Sequence, residues 1–277
     1  MGALDPKNRR NLALRVTSAL VLFPIAVWIT YVGGLPFAVL AAVAAAISAA
    51  ELVQMFGTIG VAEAFGIAVA GAIPFVAAWE GSGNLLPGWS ALALGGATVI
   101  LLVLFLFRRG PLEEVPRGVS TVTLSWLYCG LLLASLVGLR LRFDVGWVIL
   151  AFVVTWGNDT FAYFTGHAIG RHKLFERISP KKTWEGFAGG AVGSVVCAVG
   201  TRALLMRSEL SVGLAVGVGL GGALLGPLGD LAESMIKRAA GVKDSGKIIP
   251  GHGGLLDRID ALLFVAPWIY VCAAYLR

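Results

Sequence analysis

The chain has 277 residues, 57% hydrophobic and 14% charged, with a net charge of +6 and a mean hydropathy of +0.84. Soluble domains carry roughly 25% charged residues, so this composition excludes a soluble enzyme, a disordered chain and an ordinary nucleic-acid-binding protein. It indicates a multispanning membrane protein, in which excess basic charge fixes loop orientation instead of attracting a polyanion.

A helix crossing the hydrocarbon needs about 20 mostly apolar residues. Nine runs qualify: Val16–Val32, Leu35–Phe56, Val61–Trp79, Trp89–Phe107, Val119–Leu139, Val145–Phe164, Trp184–Met206, Ser211–Leu228 and Leu255–Leu276. The expected fold class is therefore all-α, a single integral membrane domain of about nine transmembrane helices. Before the first run the chain is basic, with Lys7, Arg9, Arg10 and Arg15. No small-residue cleavage site follows, so the first run reads as a retained span. Gly186 and Gly190 in the seventh run, and Gly213, Gly217 and Gly221 in the eighth, suggest close helix approach. Cys129, Cys197 and Cys272 lie far apart inside apolar runs and read as buried, unpaired thiols.

Loop charge supports this count. If the N-terminus and the even-numbered loops share one side, that side holds 17 Lys and Arg and the other holds 5. The basic side is expected to be cytoplasmic. The spans of residues 1–140 carry few polar groups and read as scaffold. Glu51 and Glu63 are exceptions near span ends, where an acid reaches the interface. Residues 141–277 read as catalytic spans and loops.

Asn158 and Asp159 lie within the sixth run, where a carboxylate is costly unless paired and marks a functional candidate. The next block is Ile178-Ser-Pro-Lys-Lys-Thr-Trp-Glu-Gly186. Adjacent lysines after a Pro-fixed bend, with hydroxyls from Ser179 and Thr183, form a cationic and donor-rich patch suited to phosphate. Ser179, Lys181, Lys182, Thr183 and Glu185 are its candidate residues.

The densest constellation runs from Gly229 to Asp260. Asp230, Glu233 and Lys237 share one helical face at i, i+3 and i+7, and Asp257 and Asp260 repeat the i, i+3 spacing at the start of the ninth run. Carboxylates gathered at one membrane depth repel unless they share a divalent cation, and hard oxygen ligands suit Mg²⁺. Lys237, Arg238, Lys243, Lys247 and Arg258 surround them with charge able to hold an anionic substrate. Between the two groups, His252 sits unshielded beside Gly253 and Gly254, where it is able to titrate. Gly241-Val-Lys-Asp-Ser-Gly-Lys-Ile imitates a P-loop, but Ile248 replaces the hydroxyl residue and no strand precedes it.

The run Ser234-Met-Ile-Lys-Arg, four residues, then Lys243-Asp-Ser-Gly-Lys-Ile-Ile-Pro-Gly-His-Gly-Gly-Leu-Leu-Asp-Arg-Ile-Asp260 resembles the signature of the phosphatidate cytidylyltransferases, or CDP-diacylglycerol synthases. The Ser179–Gly186 block and the Asp159…Tyr163…Gly166 stretch also look like that family, and the short length resembles its bacterial members. The resemblance implies that CTP and phosphatidate give CDP-diacylglycerol and pyrophosphate with Mg²⁺, a second cation being left open. It further implies a polar pocket facing the cytoplasm from the bilayer of a bacterial cytoplasmic membrane, and often a homodimer. The family's metal-binding acids map onto Asp230 and Asp257.

On that basis Asp230 and Asp257 are expected at the metal, with Asp159, Glu233 and Asp260 as further candidates. Lys182, Lys237, Arg238 and Asp257 are the catalytic candidates. Ser179, Lys181, Thr183, Glu185, Lys243, Asp244, His252 and Arg258 are the substrate-binding ones. Two rivals remain at this point. One is an ion-coupled transporter, although transporter charges gather at midplane between inverted repeats. The other is a CTP-dependent transferase acting on a polyprenol or isoprenoid lipid.

Overall fold

The computed structural model describes residues 20, 23–81, 88–249 and 253–276. The helices are α1 (Phe23–Val32), α2 (Gly34–Phe56), α3 (Val61–Gly81), α4 (Trp89–Leu106), α5 (Val115–Ser125), α6 (Leu132–Arg142), α7 (Val145–Ile169), α8 (Trp184–Leu205), α9 (Val212–Ala239) and α10 (Leu256–Tyr275). A π-helical segment, Trp126–Leu131, joins α5 to α6. A 3₁₀ turn at Leu112–Glu114 leads into α5, so that Leu112–Arg142 forms one long apolar span.

Among the described residues, seven helices are long and apolar enough to cross a membrane, while Phe23–Val32 and Ser90–Leu106 are shorter apolar helices. Each of the nine apolar runs thus has a helical counterpart, seven of them of full spanning length. The protein is an integral membrane protein built almost wholly from helices. Leu204, Leu220, Leu224 and Val192 are exposed on helix faces turned away from the core, as expected where lipid is the solvent.

Two boundaries differ from the sequence reading. The eighth run ends at Leu228 by hydropathy, but α9 continues past Pro227 to Ala239 and carries Asp230, Glu233 and Lys237 with it. Proline is tolerated in a membrane helix because neighbouring groups satisfy the freed backbone. The basic block, read as a bend, is instead the second strand of a hairpin. Strands β1 (Lys173–Phe175) and β2 (Ser179–Thr183) pair antiparallel, with Lys173 opposite Thr183 and Phe175 opposite Ser179. The Thr183 hydroxyl then accepts the Gly186 N–H at 3.1 Å and caps α8.

α7, α8 and α9 pack tightly on one another, and α10 lies against α9, α6, α7 and α2. Gly186 and Gly190 make the expected close approach, since a Cβ on either would sit about 3 Å from α7 atoms at Ala162. On α9 the expectation is corrected. Gly213 and Gly217 face open space; only Gly221 of that trio is in close contact, against Trp268, while Gly219 and Gly222 meet Val195 and Val154. The glycines of α9 that meet its neighbours are therefore Gly219, Gly221 and Gly222. All three cysteines are free, and Cys129 and Cys272 are buried.

At the opposite end of the bundle, Arg140 donates to the carbonyls of Thr30 (2.9 Å) and Tyr31 (2.8 Å). This closes the last turn of α1, where Gly33 turns the chain at φ +68, a conformation that glycine adopts without strain.

Candidate active site

The hairpin, α7, α8 and α9 enclose a cavity of about 640 Å³, within the range of small-molecule sites. Its wall includes Asn158, Asp159, Tyr163, His167, Lys173, Lys181, Lys182, Thr183, Pro227 and Asp230. Lys182 is carried on β2 and Asp230 on α9, and the two meet in an ion pair of 2.8 Å. Lys182 also lies 3.4 Å from the Pro227 carbonyl, and Ser234 donates to the other oxygen of Asp230 at 3.2 Å. Both adjacent lysines line the cavity, Lys181 exposed and Lys182 half-buried against Asp230 of α9.

A second charged centre lies further along α9. Lys237 forms ion pairs with Glu233, one turn earlier, and with Asp257 at 2.6 Å across the α9–α10 junction. Glu233 is fully buried, and Lys237 and Asp257 keep only about a tenth of their side chains exposed. The second oxygen of Asp257 accepts the Ser245 N–H and the Gly254 N–H, each at 3.0 Å, and lies 3.0 Å from the Ser245 hydroxyl. Asp257 thus ties the loop between α9 and α10 to the start of α10.

Asp159 and Asp230 line the cavity together, with Asp230 paired to Lys182, and Asp260 follows Asp257 near the start of α10. At the α9–α10 crossing, a Cβ on Gly229 would lie 2.6 Å from the Asp260 carbonyl, so only glycine permits this separation. One residue before Asp159, Asn158 is 1% exposed, and neither atom of its amide has a hydrogen-bond partner among the described residues.

Other candidates stand further out. Glu185 accepts the N–H groups of Arg171 (3.0 Å) and His172, and lies 2.6 Å from the His172 ring nitrogen, bracing the entry to the hairpin. Arg238 donates to the Val242 carbonyl at 3.0 Å. Ser179 is half-buried in β2, and Lys243, Asp244 and Arg258 are exposed around the loop. His252 lies outside the described residues.

One residue was missed. Glu51 of α2, read as an acid reaching the interface, is 2% exposed. It accepts the N–H groups of Leu255 and Leu256, each at 2.9 Å, and lies 3.0 Å from the Ser245 hydroxyl. A polar residue near a span end was the only trace in the sequence, because its partners are about 200 residues away. Glu63 is likewise buried and pairs with Arg108 at 2.6 Å beside a separate cavity of about 400 Å³ among α2–α5.

Among the described residues, no three His, Cys, Asp or Glu side chains converge as a ready-made metal cage. Mg²⁺ rarely uses one. It binds through one or two carboxylates, several waters and substrate phosphates. Asp159 and Asp230 line the cavity beside Lys182 and supply hard oxygen donors, so this pair fits such an ion in chemistry. Asp257 is committed to Lys237, Ser245 and Gly254.

A polytopic helical membrane protein with lysines and aspartates lining one cavity is the class that this geometry defines. The model of the cytidylyltransferase family matches residues 13–276, and the chain belongs to that family. Similar curated proteins include the phosphatidate cytidylyltransferase of Brucella melitensis biotype 1, 32% identical over 95% of this chain and 94% of that protein. The Bacillus subtilis (strain 168) phosphatidate cytidylyltransferase is 40% identical over 56% of this chain and 58% of its own length. That of Staphylococcus aureus (strain COL) is 33% identical over 68% and 81% respectively.

Proposed function

We propose that this chain transfers the cytidylyl group of CTP to phosphatidate, releasing pyrophosphate and leaving CDP-diacylglycerol in the membrane. The observation that carries the reading is the end-to-end similarity to a phosphatidate cytidylyltransferase, joined to a cavity whose charged wall suits two phosphate-bearing substrates.

The attacking phosphate of the lipid is already an anion, so the protein need not supply a strong base. Its task is to hold two polyanions together and to stabilise charge on the departing pyrophosphate. Lys181 and Lys182, with the hydroxyls of Ser179 and Thr183, hold a phosphate at the hairpin. Lys237 and Arg238 neutralise the triphosphate from α9, with Lys243 and Arg258 at the rim. Asp244 and His252 belong to the same loop and complete the nucleotide side. The unpartnered amide of Asn158 supports a polar ligand at the deep end of the cavity, since buried amides in native structures are satisfied.

Mg²⁺ would be held by Asp230 and Asp159, with Asp260 and Glu233 as further candidates; Asp257, the other acid expected there, is engaged by Lys237, Ser245 and Gly254. Bound there, such an ion would supply Lewis-acid neutralisation of the triphosphate charge. We place the cavity on the cytoplasmic side of a bacterial cytoplasmic membrane, as the loop charge asymmetry argues.

The test is label transfer from CTP by purified protein offered phosphatidate or a polyprenyl phosphate. Labelled CDP-diacylglycerol is expected. Labelling of the polyprenyl acceptor alone would replace this reading with its nearest rival.

A further inference from the structure

The Glu51 carboxylate sits on α2, within the span set that the sequence marks as scaffold, yet every hydrogen-bond partner recorded for it lies in the loop and helix of the reacting centre. The start of α10 explains why it is there. Leu255 is the N-cap residue and supplies no capping side chain, so the first N–H groups of α10 need an acceptor from elsewhere. Glu51 provides it at 2.9 Å to both Leu255 and Leu256, with negative charge at the helix end where the dipole favours it.

The loop is shaped around this carboxylate. A Cβ at Gly246 or at Gly254 would come within 2.5 Å of it, and real Cβ atoms do not make that contact. On its other side the same loop is held by Asp257. Ser245 stands between, its hydroxyl 3.0 Å from one oxygen of each acid. One hydroxyl has one proton to give, so Glu51 and Asp257 compete for it, and a change at either acid is felt at the other through Ser245.

We infer that Glu51 is a positioning residue for the transfer reaction: from α2 it fixes the Ser245 loop, and through that loop the carboxylate of Asp257 and its partner Lys237. The inference rests on the activity proposed above. It predicts that the first span set acts on turnover although none of its described residues lines the 640 Å³ cavity.

The test uses the full chain in detergent with Glu51→Gln, which keeps shape and one acceptor oxygen, and Glu51→Ala as the harsher variant. Trypsin cleavage after Lys243 and Lys247, both exposed on the loop, should accelerate in Glu51→Gln while the unfolding temperature changes little. Turnover should fall about 10- to 100-fold, the cost of small misplacements in a reacting centre, with KM for both substrates held. Ser245→Ala should remove most of the same increment, so the double variant should be little worse than the poorer single one, as for residues acting as a unit. Multiplicative losses in the double variant, or wild-type cleavage at the two lysines in Glu51→Gln, would overturn the assignment. If wild-type protein labels a different lipid, the activity proposal fails by itself; the cleavage measurement still reads the loop, and turnover is then followed on that lipid.

Discussion

Lys237 and Asp257 lie on different helices, twenty residues apart in sequence, with ammonium and carboxylate 2.6 Å from each other. The same ammonium also faces the fully buried Glu233. One cation therefore answers two anions in a setting where water offers little screening. Removing a partner from a buried pair costs about 3–5 kcal/mol because the remaining charge is uncompensated. Lys237→Met should therefore lose transfer activity and also unfold at a lower temperature. The double variant Lys237→Met with Glu233→Gln should recover much of the stability and none of the activity, as followed by thermal unfolding in detergent beside label transfer from CTP.

The Lys182–Asp230 pair is of a different kind. Its side chains are 23% and 36% exposed, and pairs this open contribute about 0–1 kcal/mol to stability. Their value must lie elsewhere. Lys182→Met should keep its unfolding temperature and lose about 100-fold or more in turnover, a typical cost of deleting one donor that stabilises developing charge. A variant with low stability and ordinary turnover would contradict that role.

Removal of divalent cations by a chelator should stop transfer, and added Mg²⁺ should restore it. In Asp230→Asn the Mg²⁺ concentration for half activity should rise about 10-fold or more, since even groups that only orient a metal's ligands are worth about 10- to 100-fold in affinity. An unchanged Mg²⁺ requirement in that variant would remove Asp230 from the metal.

The cavity among α2–α5 provides a contrast. Glu63 is buried, but Arg108 is 42% exposed, so the pair is partly screened. Glu63→Gln should cost on the order of 1 kcal/mol of stability and leave kcat and both KM values near wild type. Strong catalytic loss there would mean that the second cavity takes part in the reaction.

Much of this arrangement is legible in the sequence. Helical spacing put Asp230, Glu233 and Lys237 on one face of what became α9, because a period of 3.6 is a local property of the chain. The basic block at Ser179–Thr183 was recognised by its donors, but its strand was not, since a two-stranded hairpin this short gives no periodic signal. Helix α9 was cut short at Leu228 because hydropathy falls where the charges begin, whereas hydrogen bonding continues to Ala239. Glu51 was misjudged for a physical reason. An acid near a span end usually reaches water, and only the fold reveals backbone N–H groups from residues 255 and 256 waiting for it.

The unbroken length of α9 bears on the depth at which reactants would meet. Its 28 residues extend about 42 Å at 1.5 Å per residue, well beyond a hydrocarbon slab of about 30 Å. Counted from its first residue, Asp230 falls about 27 Å along the axis and Lys237 about 37 Å. With Val212 at one edge of the hydrocarbon, the charged turns would straddle the opposite border between acyl chains and headgroups. A lipid anchored by its tails can offer its phosphate there without leaving its leaflet, while a water-soluble nucleotide arrives from the other side of that border.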